Sequence, residues 1–280
     1  MQIDKNIILK RADKKAILID TFYSKNKPNQ PIVIFCHGYK GFKDWGAWNL
    51  MAESIAKGGF CFIKFNFSHN GGTIENSIDF PDLEAFGNNN YTKELDDLND
   101  VIGWAKNYFS TNSHINLNHI SLIGHSRGGG IAILKASEDN RIKKLITLAS
   151  VSDFERRTAT IGDLKEWKKT GVKYVLNGRT KQQMPHYYQF FEDFKTNEKR
   201  LHIQSAMKRL EIPILIIHGD NDASVSINEA KEIHQWSTNS QLKIIKNANH
   251  VFNTKHPWNT DEVSVELEIV SNLIKDFAIK

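Results

Sequence analysis

The sequence lacks any apolar run that approaches the roughly 20 consecutive residues a membrane-spanning helix needs. Its N-terminus mixes charged residues among apolar ones, so it also lacks the basic start and unbroken apolar core of a signal peptide. The formal net charge of +5 comes from scattered lysines, with neither a block of like charge nor an arginine-rich arm. These absences predict a cytoplasmic protein that binds neither membranes nor nucleic acids.

Cysteine is scarce, because the chain contains only Cys36 and Cys61. Both fall within apolar runs that we interpret as neighbouring strands, where a small buried thiol is the usual state. The sequence gives no support for a disulfide between them. The histidines also lack the spacing of a metal site, so we expect no bound metal.

Six short runs rich in Val, Ile, Leu and Phe predict strands that are buried on both faces. The runs are PIVIFCHG, FCFIKFNF, HISLIGHS, KKLITLAS, IPILIIHG and QLKIIK. Apolar residues recur at helical spacing over 44–57, 91–109 and 263–277. Alternating strands and helices predict an α/β fold with a mostly parallel central sheet, helices on both faces and a binding site at the carboxyl ends of the strands. Before these runs, IDKNIILK and KAILIDTFY predict an antiparallel hairpin.

A chain of 280 residues that is 40% hydrophobic predicts one domain over 1–280. The region from about 153 to 211 breaks the alternation and is too long for a simple crossover, so we interpret it as an inserted lid. An extra helical layer is the alternative. Within this region, Asn177 and Gly178 predict a two-residue hairpin turn. The aromatic cluster at 187–191 is interpreted as packing, with substrate contact as the alternative.

The segment from Gly124 to Gly128 reads GHSRG and matches the pattern G-x-S-x-G, where a buried strand turns abruptly into a helix. Such a turn exposes Ser126 above the sheet, and glycine is needed two residues away on each side because side chains would not fit. The pattern alone is a weak signal, since a glycine-rich turn before a helix can also cradle a phosphate.

A serine hydroxyl is a poor nucleophile at neutral pH, so it needs a histidine base and an acid to orient that base. Asp220 and Asp222 both follow IPILIIHG, and we favour Asp222. Asp153 is a weaker alternative because it resembles a helix cap. The order Ser126, Asp222, His250 is the one expected when the three lie on successive loops at one edge of a parallel sheet.

His250 follows QLKIIKNAN and is the favoured base, while His256 is a weaker candidate because it lies further from the strand end. The other histidines receive structural interpretations. We expect His37 to brace its loop by hydrogen bonding, His125 to be a neighbour of the serine, and His218 to be a core histidine with its hydrogen bonds satisfied.

Five segments carry a resemblance to a known family: HGYKGFKDW at 37–45, FNFSHNG at 65–71, GHSRGGG at 124–130, IIHGDNDASVS at 216–226 and NANHVF at 247–252. From about residue 31 onward, the chain resembles the α/β-hydrolase fold family. It is most similar to the small serine esterases, including cinnamoyl and feruloyl esterase-like members and their relatives among serine aminopeptidases and dienelactone hydrolases.

The resemblance implies an α/β-hydrolase fold in which Asp222 is the acid, His250 is the base and no cofactor is bound. It also implies an oxyanion hole formed by the backbone amides of Tyr39 and Arg127. The role of the Arg127 side chain is left open, because many relatives have a smaller or uncharged residue there.

We therefore expect a serine carboxylesterase whose partner is a small-molecule ester with a small or aryl acyl group. Acyl thioesterase and small-peptide serine peptidase are the alternatives, because the same groups attack any acyl carbon. A non-catalytic binding protein on the same fold is the alternative from another class. Assembly as a homodimer is left open.

Overall fold

A computed structural model describes residues 1–279 of the chain, which form ten strands and ten helices over that range. In chain order they are β1 (Gln2–Arg11), β2 (Lys14–Tyr23), β3 (Gln30–Cys36), α1 (Trp48–Lys57), β4 (Cys61–Phe65), α2 (Leu83–Gly87), α3 (Tyr91–Tyr108), β5 (Ile115–His125), α4 (Arg127–Glu138), β6 (Ile142–Leu148), α5 (Phe154–Ala159), α6 (Leu164–Thr170), β7 (Val172–Leu176), β8 (Gln183–Tyr187), α7 (Gln189–Thr196), α8 (Ile203–Arg209), β9 (Ile214–Gly219), α9 (Ile227–Gln235), β10 (Ser240–Ile245) and α10 (Val265–Ile279).

Eight strands form one sheet in the order β1-β2-β4-β3-β5-β6-β9-β10. From β4 to β10 neighbouring strands are parallel, whereas β1 and β2 form an antiparallel hairpin at one edge and β2 also runs antiparallel to β4. The predicted N-terminal hairpin and the predicted mostly parallel sheet are both confirmed. Parallel pairing brings the ends of β3, β5, β6 and β9 to the same edge of the sheet.

The central strands are buried on both faces, so successive side chains enter two separate cores. In β3, Ile34 packs into one core and Phe35 into the other, and Leu122 and Ile123 of β5 divide in the same way. Helices α3 and α4 cover the first face, and α1 and α10 cover the second. The thiols of the two cysteines are free and buried in β3 and β4.

The predicted helices are present; the one predicted over 263–277 is shifted by two residues to Val265–Ile279, and the start of another is displaced further. The helix predicted from residue 44 begins at Trp48, because the preceding residues form turns in which Trp45 N–H donates to Phe42 O and Trp48 N–H donates to Trp45 O. Within residues 1–279, no helix is both long enough and apolar enough to cross a membrane.

The segment between β6 and β9 contains four short helices and the two-stranded sheet β7-β8. The predicted two-residue turn is wrong, because Leu176 pairs with Gln183 and the loop 177–182 connects the strands. The Asn177 side chain accepts hydrogen bonds from the amides of Arg179 and Thr180, which stabilises a wider turn. Asp153 caps α5 by accepting from two backbone amides, as the sequence predicts.

Candidate active site

Ser126 lies on the sharp turn between β5 and α4 with φ 56° and ψ −120°. A Cβ on Gly124 would lie 2.2 Å from Gly128 O, and one on Gly128 would lie 2.5 Å from the carbonyl oxygens of Cys36 and His37. Side chains at these two positions would therefore collide with backbone. The turn is strained at a non-glycine residue, as expected of a serine raised above the sheet edge.

Asp222 follows β9, and its side chain is fully buried. The carboxylate accepts hydrogen bonds from the amides of Ser224 and Val225, at 2.8 and 2.9 Å, and lies 2.8 Å from His250 Nδ1. Burial alone would raise the pKa of Asp222, but hydrogen bonds from His218 and His250 outweigh it and hold this pKa well below its usual range. The acid is therefore ionised and oriented towards His250.

His250 donates from Nδ1 to Asp222, which leaves Nε2 as the nitrogen available to act as an acceptor. His125 Nε2 donates to the carbonyl oxygen of His250, and the two rings lie 4.8 Å apart. Ser126 and His250 line the same cavity. Among residues 1–279, the hydrogen bonds of His250 go to Asp222 and His125 and none joins it to the Ser126 hydroxyl; such bonds often tighten only when substrate is bound.

The loop after β3 lies directly against the serine, because a Cβ on Gly38 would be 2.9 Å from Ser126 Cβ. His37 braces this loop, as predicted: Nδ1 donates to Gly38 O and Nε2 accepts from Phe67 N–H. Burial lowers the pKa of His37 to about 4, so the ring is neutral and keeps both bonds. On the other side of the serine, Arg127 is the first residue of α4, and its N–H has no acceptor within the helix.

The Tyr39 hydroxyl connects this loop to the inserted segment. His186 Nδ1 donates to Met184 O, so its Nε2 accepts the hydrogen bond from Tyr39 at 2.9 Å. The Arg127 guanidinium lies 4.3 Å from the centre of the Tyr39 ring. Sequence reasoning missed these contacts, since Tyr39 and His186 are 147 residues apart and the segment that contains Tyr39 gives no information about the partner of its hydroxyl.

His218 is buried in β9 as predicted, but its hydrogen bonding differs from the prediction. Its Nε2 lies 2.9 Å from Val225 O and 3.2 Å from Asp222 Oδ2, while Nδ1 has no hydrogen-bond partner within residues 1–279. His218 therefore contacts the candidate acid directly. Its position four residues before Asp222, across the end of β9, is the signal that could have suggested this contact.

The weaker candidates for acid and base have other partners. Asp220 is exposed and accepts a hydrogen bond from Asn247 N–H at 2.6 Å, and Asp153 caps α5. His256 Nδ1 accepts from Gly46 N–H at 2.9 Å. None of these three lines the cavity at Ser126 in the part of the chain that the structure describes.

The cavity at Ser126 has a volume of about 350 Å³. Its walls come from the strand ends and from the inserted segment: Tyr39, Tyr91, Ser126, Arg127, Val151, Phe154, Arg157, Thr160, Ile161, Val175, His186, Ser224, Val225 and His250. This volume suits a small organic molecule. Over residues 1–279, no cluster of three His, Cys, Asp or Glu side chains could hold a metal ion.

Comparisons with known proteins agree with this architecture. A family model described as BD-FAE matches residues 19–237. Monoacylglycerol lipase ABHD6 of Rattus norvegicus is 22% identical, over 85% of this chain and 75% of the rat protein. The protein of the same name from Bos taurus is 21% identical over the same shares.

Solved structures share the fold over nearly the whole chain. Est1E from Butyrivibrio proteoclasticus has a TM-score of 0.72 at 18% identity, covering 99% of this chain and 98% of its own. Est1E with bound ferulic acid has a TM-score of 0.70 at 20% identity, covering 98% of each chain. The mouse alpha/beta hydrolase domain-containing protein 10 has a TM-score of 0.68 at 15% identity, covering 99% and 98%. These likenesses show the shared fold.

Proposed function

The chain belongs to the BD-FAE family of α/β-hydrolase esterases, and from this premise we propose that it is a serine esterase with the triad Ser126, His250 and Asp222. His250 takes the proton of Ser126 as the serine oxygen attacks the ester carbonyl. It then gives this proton to the leaving alcohol. Water, activated by the same imidazole, releases the acid and restores the serine.

The hydrogen bond of 2.8 Å between Asp222 and His250 is the observation that carries the proposal. It fixes the tautomer of the imidazole, with the proton on Nδ1, and an ionised Asp222 stabilises the imidazolium that forms during attack. Because Ser126 and His250 line the same cavity, an ester bound there meets both groups.

We assign the oxyanion hole to the backbone amides of Tyr39 and Arg127. The loop that carries Tyr39 packs against Ser126 through Gly38, and the Arg127 amide is free of helical hydrogen bonding. Two such amides stabilise the negative charge of the tetrahedral intermediate, and losing one donor typically costs about 3 kcal/mol of transition-state stabilisation.

We propose carboxylic esters with a small or aryl acyl group as substrates, with the inserted segment acting as a lid that shapes the cavity. The cavity volume of about 350 Å³ suits groups of this size. The bound ferulic acid of Est1E, a fold relative, makes hydroxycinnamate esters a reasonable member of the first substrate panel.

The test is hydrolysis of aryl esters with graded acyl chains and one hydroxycinnamate ester, by the unmodified protein and by Ser126→Ala. We expect Ser126→Ala to lower kcat by at least about a thousandfold while the protein stays folded, since members of a triad act as a unit. Ser110→Ala, a surface serine on the turn after α3, is the matched control and should keep full activity.

Circular dichroism of each variant checks folding, and a serine-reactive fluorophosphonate should label every protein except Ser126→Ala. Unchanged turnover in Ser126→Ala would contradict the proposed nucleophile. If the folded, unmodified protein hydrolyses no ester, the same comparison is repeated with thioesters and short peptides.

A further inference from the structure

Two arginines, Arg127 and Arg157, line the cavity at Ser126, whereas no Asp or Glu side chain does among residues 1–279. Each guanidinium has a carboxylate partner outside the cavity lining: Glu94 for Arg127 and Glu229 for Arg157. The two arginines therefore line the cavity, and the carboxylates that pair with them lie outside its lining. Both permanently charged side chains that line the cavity are therefore cations.

Arg127 projects a largely unpaired guanidinium into the cavity. Its side chain is only 12% exposed, and of its five N–H donors only Nη1 has an acceptor within residues 1–279, Glu94 Oε1 at the long distance of 3.5 Å. Within residues 1–279, most N–H donors of this guanidinium therefore have no hydrogen-bond acceptor.

Aromatic rings surround the Arg127 guanidinium, at 4.3 Å from Tyr39, 5.3 Å from Tyr91 and 5.5 Å from Phe190. The rings attract the cation through their faces but offer it no oxygen acceptor. The N–H donors of Arg127 therefore remain available to an acceptor such as a carboxylate.

Arg157 lies on α5 in the inserted segment and supplies a second guanidinium that lines the cavity. Its Nη2 pairs with Glu229, and Nη1 donates to Ser224 O at 3.4 Å. Its Nε is buried and has no hydrogen-bond partner within the described chain. This Nε has almost no accessible surface, so a molecule bound in the cavity would contact the terminal nitrogens of the guanidinium, whose side chain is 30% exposed.

We propose that the preferred substrates are esters carrying a free carboxylate in the acyl or the alcohol part, and that Arg127 and Arg157 bind this carboxylate. This inference rests on the proposed serine esterase function and names its substrate class. A carboxylate can accept two parallel N–H bonds from a guanidinium. The apolar side chains Val151, Ile161 and Val225 in the same cavity would contact the carbon chain between the carboxylate and the ester.

Two substrate pairs test the two positions of the carboxylate. On the acyl side, mono-para-nitrophenyl glutarate is compared with para-nitrophenyl isoheptanoate, whose isopropyl end matches the carboxylate in shape. On the alcohol side, para-acetoxybenzoate is compared with para-acetoxybenzamide. Rates with Ser126→Ala are subtracted, because the glutarate ester also hydrolyses through its own carboxylate. We expect the charged ester to be preferred by about tenfold or more in kcat/KM in at least one pair.

Arg157→Met should reduce that preference by about tenfold, mainly by raising KM for the charged ester, and Arg157→Lys should restore part of it. Arg156→Met is the matched control: this neighbouring arginine on α5 pairs with Asp153 and Glu232 and does not line the cavity. It should leave the preference unchanged. Because the preference is a ratio measured on one protein sample, it does not depend on the fraction that is folded.

The outcomes separate this inference from the proposed function. If esters are hydrolysed through Ser126 but the neutral member is equal or better in both pairs, the inference is overturned and the esterase function stands. A preference that persists in Arg157→Met overturns the assignment to Arg157. Absence of hydrolysis in every pair overturns the esterase function, and this inference with it.

Discussion

Gly124 shows how strictly a single residue constrains the turn at Ser126. An added Cβ would lie 2.2 Å from Gly128 O, a backbone atom that moves only if α4 moves. We expect Gly124→Ala to destabilise the protein by about 3 kcal/mol or more, above the usual range for overpacking, and to remove activity by displacing Ser126. Thermal unfolding and hydrolysis of an aryl ester measure the two effects.

Gly103→Ala is the matched control, because nothing lies within 4 Å of a Cβ added at this position in the middle of α3. Alanine favours the helix by about 0.5–1 kcal/mol relative to glycine, so this variant should unfold at a higher temperature and keep its activity. Equal stability of the two variants would contradict the steric account of the turn.

For single residues, the sequence predicted which residues lie at the candidate site better than it predicted the contacts of their side chains. The pattern around Ser126 and the chain order of Asp222 and His250 could be recognised because each follows a buried strand, and parallel strands end at one edge. The aromatic surroundings of Arg127 could not be recognised, since they depend on side-chain directions, and the Asp222 contact of His218 was missed although their spacing of four residues could have suggested it. The catalytic roles of the triad remain predictions that the Ser126→Ala experiment tests.

At the scale of elements, a buried ionic cluster joins β2, β4 and the segment that enters α1. Lys64 Nζ lies 2.8 Å from Asp20 Oδ2 and donates to Lys43 O at 3.0 Å, and it also pairs with Asp44. Lys43 Nζ lies 2.9 Å from Asp20 Oδ2 and 2.6 Å from Asp44 Oδ2. The two positive and two negative charges compensate one another, so removing one leaves a buried charge uncompensated.

Lys64→Met should therefore destabilise the protein by about 3–5 kcal/mol, the range for breaking a buried ion pair from one side. Lys57→Met is the control, because the Lys57 side chain is 69% exposed and lies 3.8 Å from Glu53; such surface pairs contribute at most about 1 kcal/mol. Urea unfolding of both variants gives the comparison. If Lys64→Met is as stable as the control, the cluster contributes no net stability.

Regular elements could be predicted from the sequence because their apolar periodicity extends over many residues, as in β3, β5 and α3. The short helices α5 to α8 could not, since helices of 6–8 residues depend on tertiary packing more than on their own sequence. The loop 177–182 was predicted too short because Asn177-Gly178 also suits a wider turn, in which the Asn177 side chain accepts backbone hydrogen bonds.

At the scale of the whole molecule, folding buries three histidines around the site in their neutral form. Burial, reinforced by nearby positive charge, lowers the pKa of His37 to about 4 and that of His186 to about 3. Burial and the neighbouring His250 lower the pKa of His125 to about 3. In the unfolded chain all three would titrate near pH 6.5, so the unfolded state binds more protons below that pH.

The stability contributed by these histidines is therefore fully present above about pH 6.5 and is lost as the pH falls towards their native pKa values. At about pH 5 the loss is about 2 kcal/mol for each histidine, so the unfolding temperature should drop steeply between about pH 7 and pH 5. His186→Gln keeps an acceptor for the Tyr39 hydroxyl and should show a shallower drop, whereas His119→Gln, on the surface, should follow the unmodified protein. Calorimetry at several pH values measures this dependence, and an unfolding temperature that stays constant over the interval would show that the buried histidines do not govern it.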